Sequence, residues 1–198
     1  MHGSKYFKKR SYTFRAFLRD NLQMFKNRSE IKQMKKAGRV NPQFEKRIML
    51  AVTAVNGCRY CEWGHTQSAL NLGCSEEEIK HIMIHDFGSC DPDEVIGLAY
   101  AQHYAETGGN PSSENWERLM EYYGEEKAKD IQLVIEMITM GNLLGNTLDA
   151  FESRLKGVPP EKGSFLFELF IYSLALPFVL IFNKKYTKWK MSSNPHPS

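Results

Sequence analysis

At 198 residues, with 42% hydrophobic and 25% charged positions, the chain has the make-up of one well-packed domain with extensions, which excludes a disordered or fibrous protein. Its four cysteines, two of them as a CxxC pair, are not the framework of a small secreted disulfide module and indicate a reducing compartment. The net charge of +3 hides an asymmetry, about +10 over the first forty residues and about −7 beyond; no nucleic-acid module accompanies the basic arm, so anionic lipid or an acidic neighbouring subunit is its expected partner, not DNA or RNA.

Residues 1–10 are short, polar and basic and are expected to be disordered. The start lacks the apolar run and small-residue cleavage site of a signal peptide, so a cytoplasmic protein is expected. Phe14, Phe17, Leu18, Leu22 and Phe25 then recur at helical spacing with Arg15 and Arg19 off the stripe. This is a short basic amphipathic helix, suited to packing on a core or to lying on a membrane surface. Arg28 to Arg39 reads as a basic connector, and Asn41-Pro42 as a helix entry. Ile48 to Val55 is apolar nearly all round, as expected of a helix buried on every side, and Asn56-Gly57 is the turn that ends it.

Cys58-Arg59-Tyr60-Cys61-Glu62-Trp63-Gly64-His65 follows directly. In a helix, positions i, i+3 and i+7 place Cys58, Cys61 and His65 on one face, with Cys58 in the first turn, where the helix dipole favours thiolate. Thiolate is the reactive form of cysteine. Cys61 and His65 are four apart, close enough for the imidazole to take the thiol proton while Cys58 serves as resolving partner. A redox-active dithiol is therefore the leading reading. The alternatives are inert buried cysteines or a zinc site, for which CxxCxxxH supplies three ligands and Cys74, Cys90, His81 or His85 would have to supply the fourth.

Gly73-Cys74-Ser75 breaks this helix, and Ser75 with Glu78 makes a capping box for another reaching about His85. His81 and His85 lack a third ligand in sequence, and Cys74 and Cys90 read as buried apolar residues, so no metal is assigned. Asp91-Pro92-Asp93 opens a helix to about Thr107, Ser112 or Ser113 caps the next, and Gly124 ends it. Residues 125–155 form the longest helical stretch. Its two apolar stripes imply neighbours on two sides, and Gly141 with Gly145, four apart, permits close helix contact.

Gly157-Val158-Pro159-Pro160 marks a boundary. Beyond it, Ser164 to Phe182 carries one charge, Glu168, and one helix breaker, Pro177, before Lys184, Lys185, Lys188, Trp189 and Lys190. The segment suits either membrane insertion or anchoring, or burial in an oligomer interface. The last seven residues read as a disordered tail. No strand alternation is evident, and the expected fold is all-α in three parts: a basic amphipathic extension (1–39), a helical redox domain (40–157) and an apolar C-terminal segment with a basic tail (158–198).

The run from Phe44 through Asn56-Gly57, CxxCxxxH and Leu72-Gly73-Cys74-Ser75 resembles the AhpD-like branch of the carboxymuconolactone decarboxylase family, with weaker likeness to about residue 155. The resemblance implies an all-helical homo-oligomer that reduces hydroperoxides or exchanges disulfides, using a small or protein dithiol as reductant and no organic cofactor. By position, Cys61 would attack, Cys58 resolve, and His65 serve the proton relay. The sequence departs from the family at the relay glutamate, whose position holds Lys46. Glu45 is displaced by one residue, about 100° around a helix. Tyr60 stands where some relatives have histidine. Glu45, Lys46 and Tyr60 are thus the candidates for proton relay or for tuning the thiols. The alternative functions are a cofactor-independent lactone lyase or decarboxylase with His65 as acid or base, and a non-catalytic membrane-associated helical protein.

Overall fold

In the computed structural model, which describes residues 6–193, the consecutive side chains of Ile48, Met49, Leu50, Ala51 and Val52 are all buried. A helix buried on successive residues must be surrounded. This helix, α3 (Pro42–Asn56), is the axis of an all-α fold. Before it come α1 (Phe14–Lys26) and α2 (Arg28–Ala37); after it come α4 (Arg59–Asn71), α5 (Glu76–Met83), α6 (Pro92–Glu106), α7 (Ser113–Tyr123), α8 (Glu125–Leu155) and α9 (Phe165–Ser193). Helices α4, α5, α6 and α8 pack round α3, and α7 and α9 pack on α8. Among the described residues there is no strand, only an isolated bridge between Phe7 and Pro160.

The starts and stops follow the local chemistry read from the sequence. Asn41 caps α3 by accepting from the Phe44 amide at 2.8 Å, with Pro42 in the first turn. Ser75 caps α5 through the Glu78 amide (3.0 Å) and Ser112 caps α7 through the Asn115 amide (3.3 Å). The Glu78 carboxylate does not close the box. It turns to Arg47 of α3, which also donates to Glu94 of α6 at 2.9 Å, so one half-buried arginine clamps three helices.

Several expectations are corrected. The basic connector is helix α2, closed by Gly38 in the left-handed region (φ 63°). Ile31 and Met34, three apart, give it an inner edge, and Arg39 beyond it grips Asp130 of α8 at 2.6 and 3.0 Å. Residues 6–10, expected to be disordered, lie as an ordered strap instead, because their backbone groups find fixed partners. The Phe7 amide donates to Pro159 O (3.0 Å), Asn146 donates to Arg10 O (3.0 Å), and the Tyr12 amide next along donates to Thr147 (3.0 Å). Residues 1–5, also expected to be disordered, lie outside the described residues, as do 194–198 of the tail. Pro177 does not break α9, which runs through it. Helix α5 stops at Met83, and His85 takes a positive φ of 64°.

Helix α9 lies along α8 with one face only. Phe167, Ile171, Val179 and Phe182 are buried, and Glu168, 1% exposed, receives both nitrogens of Arg154 from α8 at 2.7 and 2.9 Å. Over Phe165–Lys190 the mean hydropathy reaches 2.3, yet only 28% of the window is buried.

Candidate active site

Gly57 ends α3 at φ +68°, donating its amide to Thr53 O at 2.8 Å, a conformation that costs a glycine little. The chain then re-enters helix at once. Cys58, extended at φ −81°, ψ 105°, is the N-cap of α4 itself, and its sulfur does what a serine oxygen would, accepting from the Cys61 amide at 3.3 Å. The Sγ of Cys61 stands 2.7 Å from the Sγ of Cys58, and both cysteines are free. Cys58 is fully buried whereas Cys61 is half-buried. The pair thus has an inner and an outer thiol.

Helix α8 closes the site from behind with bare backbone. A Cβ on Gly145 would stand 2.5 Å from Cys58 Sγ and 3.2 Å from the Tyr60 ring, while one on Gly141 would meet Cys61 Sγ at 4.0 Å. The two glycines face the two sulfurs one helical turn apart. Asn146, next along, donates to Asn56 O at 2.9 Å and so fastens the end of α3 to the same turn of α8.

The charge is divided unequally between the thiols. The hydrogen bond from Cys61 lowers the Cys58 pKa; burial and the Asp149 carboxylate oppose this, and the amides of Cys61 and Tyr60 assist it. Cys61 is pushed far up by its hydrogen bond with Cys58, by burial, and by the electrostatic influence of Cys58 and Asp149. The two thiols therefore titrate as a pair, with the lower pKa on the buried Cys58.

Around this pair lies an ion cluster that bridges distant parts of the chain. Asp149, buried on α8, accepts from Arg59 Nε (2.7 Å) and from Lys9 of the strap (3.0 Å). Arg59 also donates to Glu152 (2.9 Å) and to the Tyr60 hydroxyl (2.8 Å), with its guanidinium 4.7 Å from the Tyr60 ring centre. Tyr60 is consequently held as a wall: its hydroxyl is bound to Arg59, its ring lies 4.3 Å from that of Phe182, and burial raises its pKa. Lys9, Arg59, Asp149, Glu152 and Phe182 are members of the site surroundings that local spacing gives no means of finding.

His65, one turn beyond Cys61, has a buried Nδ1 without a hydrogen-bond partner. Burial, and next the charge of Lys46, bring its pKa down to about 4 against the pull of Glu45, so the ring is neutral at physiological pH. Glu45 and Lys46, both on α3, therefore act on the imidazole. Their own contacts are mutual: Lys46 donates to Glu45 at 3.2 Å, and Lys35 of α2 binds the other carboxylate oxygen. Burial alone would raise the Glu45 pKa; these two lysines outweigh it and hold the carboxyl below its ordinary value. The structure brings Cys58 against Cys61, and Glu45 against Lys46.

The remaining candidates lie apart. Cys74 and Cys90 are buried, with burial raising the first and pushing the second up to about 11, which leaves them as unreactive thiols. His81 Nδ1 pairs with Asp86 at 2.9 Å on the surface. Among the described residues no three His, Cys, Asp or Glu side chains converge as a metal site requires.

His65 carries a prediction for stability. Its folded pKa, about 4, lies below the ordinary value, so between the two the unfolded chain binds more protons and stability falls as the pH drops. Above about pH 6.5 the ring is neutral in both states and nothing is lost; below it the loss grows to roughly 3 kcal/mol as the pH nears 4. Urea unfolding of the wild type and His65→Gln should therefore show the stability gap shifting in the variant's favour as the pH falls across this window, and a constant gap would refute the buried neutral histidine.

Residues 26–102 match the carboxymuconolactone decarboxylase family. The matched stretch runs from the end of α1 into α6 and contains α3, the CxxC turn, His65, Glu45 and Lys46. The "Uncharacterized protein YdfG" of Bacillus subtilis (strain 168) is 28% identical over 120 residues, which span 57% of this chain and 78% of the relative. No solved structure matches the chain significantly.

Proposed function

With residues 26–102 a carboxymuconolactone decarboxylase family segment, we propose that the chain is a thiol-based oxidoreductase of the AhpD-like kind, reducing hydroperoxides or exchanging disulfides through Cys58 and Cys61. The observation that carries this reading is the pair of free cysteines at the start of α4, the buried inner sulfur 2.7 Å from the outer one.

The contact between the sulfurs supplies a route for the first proton. The dithiol loses one proton to water, and with the remaining proton held on Cys58 across the contact between the sulfurs, the thiolate on the half-exposed Cys61 sulfur attacks the terminal peroxide oxygen. The O–O bond breaks, the alcohol leaves with a proton from water, and Cys61 becomes a sulfenic acid. Cys58 then attacks that sulfur, its thiol proton and the sulfenic hydroxyl depart as water, and a Cys58–Cys61 disulfide remains. The peroxide has gained the two electrons the thiols lost. A small or protein dithiol returns them by exchange, with no organic cofactor required. The same route compensates for the absence of a glutamate at position 46, while Glu45 and Lys46 tune the neutral His65 from the α3 side. A cytoplasmic setting, where dithiols are kept reduced, and a homo-oligomeric state complete the proposal.

The test is stoichiometric. Reduced protein given one equivalent of an alkyl hydroperoxide should form one Cys58–Cys61 disulfide and one alcohol, both read by mass spectrometry, and a dithiol should restore the thiols. An unchanged dithiol would reject the proposal. Lactone turnover that persists after both cysteines are alkylated would establish the lyase alternative, with His65 as its acid or base.

A further inference from the structure

Two of the helices bury one face and leave an apolar face uncovered, and the fold sets them side by side. Phe14 and Phe17 of α1 meet Phe167 of α9, with ring centres 5.9 and 5.4 Å apart. Outward from this seam, α1 displays Phe14, Leu18, Leu22 and Phe25, the last two more than 60% exposed. Helix α9 displays Leu166, Phe170, Leu174, Phe178 and Ile181, each at least half exposed. Scattered exposed apolar residues are ordinary, but two adjoining helical stripes of this length are an interaction surface.

The charges round the surface distinguish among partners. Arg15, Arg19 and Lys26 run along one edge of the α1 stripe, Arg28 follows with its guanidinium 4.4 Å from the Phe25 ring centre, and Lys184, Lys185, Lys188 and Lys190 continue the exposed side of α9. The acidic residues of these two helices are already neutralised, Asp20 by Arg19 at 2.8 Å and Glu168 by Arg154. The rim is therefore cationic. A second copy docked face to face would bring an equally cationic rim against it, whereas an anionic lipid surface offers hydrocarbon to the stripes and phosphate or carboxylate to the rim.

The inner face of α9 decides between lying on a bilayer and crossing it. A span would strip Phe167, Ile171, Val179 and Phe182 from α8 and carry Glu168 away from Arg154 into hydrocarbon, where a carboxylate is costly. We propose that the joined apolar faces of α1 and α9, with their basic rim, are a docking surface for an anionic lipid bilayer, which the protein binds without spanning it. The aromatic series from exposed Phe178 to Tyr60 (ring centres 5.8 Å apart) then leads from the bilayer side to the wall of the dithiol site, a path suited to apolar hydroperoxides. This last consequence rests on the proposed oxidoreductase function; the docking itself does not.

Full-length protein should sediment with phosphatidylcholine vesicles containing about a third phosphatidylserine and less well with phosphatidylcholine alone, because the surface cations attract the bilayer only where the lipid is anionic. The double substitution Leu22→Glu/Phe25→Glu, at exposed positions and with helical content checked by circular dichroism, should abolish sedimentation. Lys184→Glu/Lys185→Glu should weaken it on the order of tenfold or more. Cys61→Ser should bind as the wild type does, which separates this surface from the redox chemistry. Failure to bind either vesicle would overturn the proposal. So would an oligomer that falls apart on Leu22→Glu/Phe25→Glu, which would assign the face to a second copy, or retention in the membrane through alkaline carbonate extraction, which would assign α9 to a span.

Discussion

Replacing Cys61 by serine is expected to reduce peroxide or disulfide turnover by on the order of a thousandfold or more, with helical content unchanged. The serine hydroxyl fits the same volume but is far too weak an acid to serve as nucleophile, and Cys58 behind it is fully buried. Cys58→Ala is the more searching variant. If Cys58 only resolved the sulfenic acid, the variant would form that acid at the wild-type rate and stall. Because Cys58 is proposed to hold the proton of the attacking sulfur across their 2.7 Å contact, the first step should slow as well. Rapid-mixing measurements of sulfenic acid formation, trapped by a dimedone-type reagent, report this step alone. A wild-type rate in Cys58→Ala would move the proton route to His65 and the Glu45–Lys46 pair.

The parts of this site that are contiguous in the chain were legible before the fold was known. Gly57 turns where its positive φ requires it, and Cys61 and His65 lie on one helix, capped by Cys58, because the intervening residues contain no breaker. The helix starts at Asn41, Ser75 and Ser112 were equally readable, since a cap acts within three residues of itself. What spacing did not show is that Cys58 is the cap rather than a residue of the first turn. That distinction is what gives its sulfur the Cys61 amide.

Where the reading failed, the deciding partner lay far away in sequence. Helix α2 carries so many charges that it reads as a connector, and it is held by Ile31, Met34 and the reach of Arg39 to Asp130. The strap from Tyr6 has no apolar periodicity at all; it is ordered by hydrogen bonds to Asn146, Thr147 and Pro159. Arg59 and Asp149 are 90 residues apart and Lys9 and Asp149 are 140 apart, so the cluster behind the thiols exists only once α8 lies against α4. Tyr60, a candidate for proton transfer by its position between the cysteines, is drawn instead to Arg59 and Phe182, which arrive from the chain next to it and from the far end of α9. The offset of Glu45 from the relay position has a similar resolution: Lys46 sits at that position and draws the Glu45 carboxylate towards itself through their ion pair.

Gly145→Ala is expected to disable the dithiol without unfolding the protein. Alanine favours a helix interior over glycine by about 1 kcal/mol, so on propensity alone the substitution would stabilise α8. The new methyl, however, would stand 2.5 Å from Cys58 Sγ and 3.2 Å from the Tyr60 ring, and neither neighbour is the free end of a long side chain. Cys58 is fully buried and bound to the Cys61 amide, and Tyr60 is wedged between Arg59 and Phe182. Either Cys58 rotates, losing its cap and its contact with Cys61, or α8 retreats and leaves a gap; crowding of this kind costs about 1–3 kcal/mol, which outweighs or cancels the propensity gain. Both responses spoil the juxtaposition of the sulfurs. Disulfide formation should fall by at least about tenfold, as expected when reacting atoms are displaced on the ångström scale. Thiol trapping across pH should also show the Cys58 pKa rising as its donors are lost. Gly141→Ala is the matched control, since its methyl would meet Cys61 Sγ at 4.0 Å, an ordinary contact. That variant should keep its activity and gain up to about 1 kcal/mol of stability, measured by urea unfolding. Equal behaviour of the two alanine variants in rate and thiol pKa would show that the close approach at Gly145 does not hold the dithiol in place.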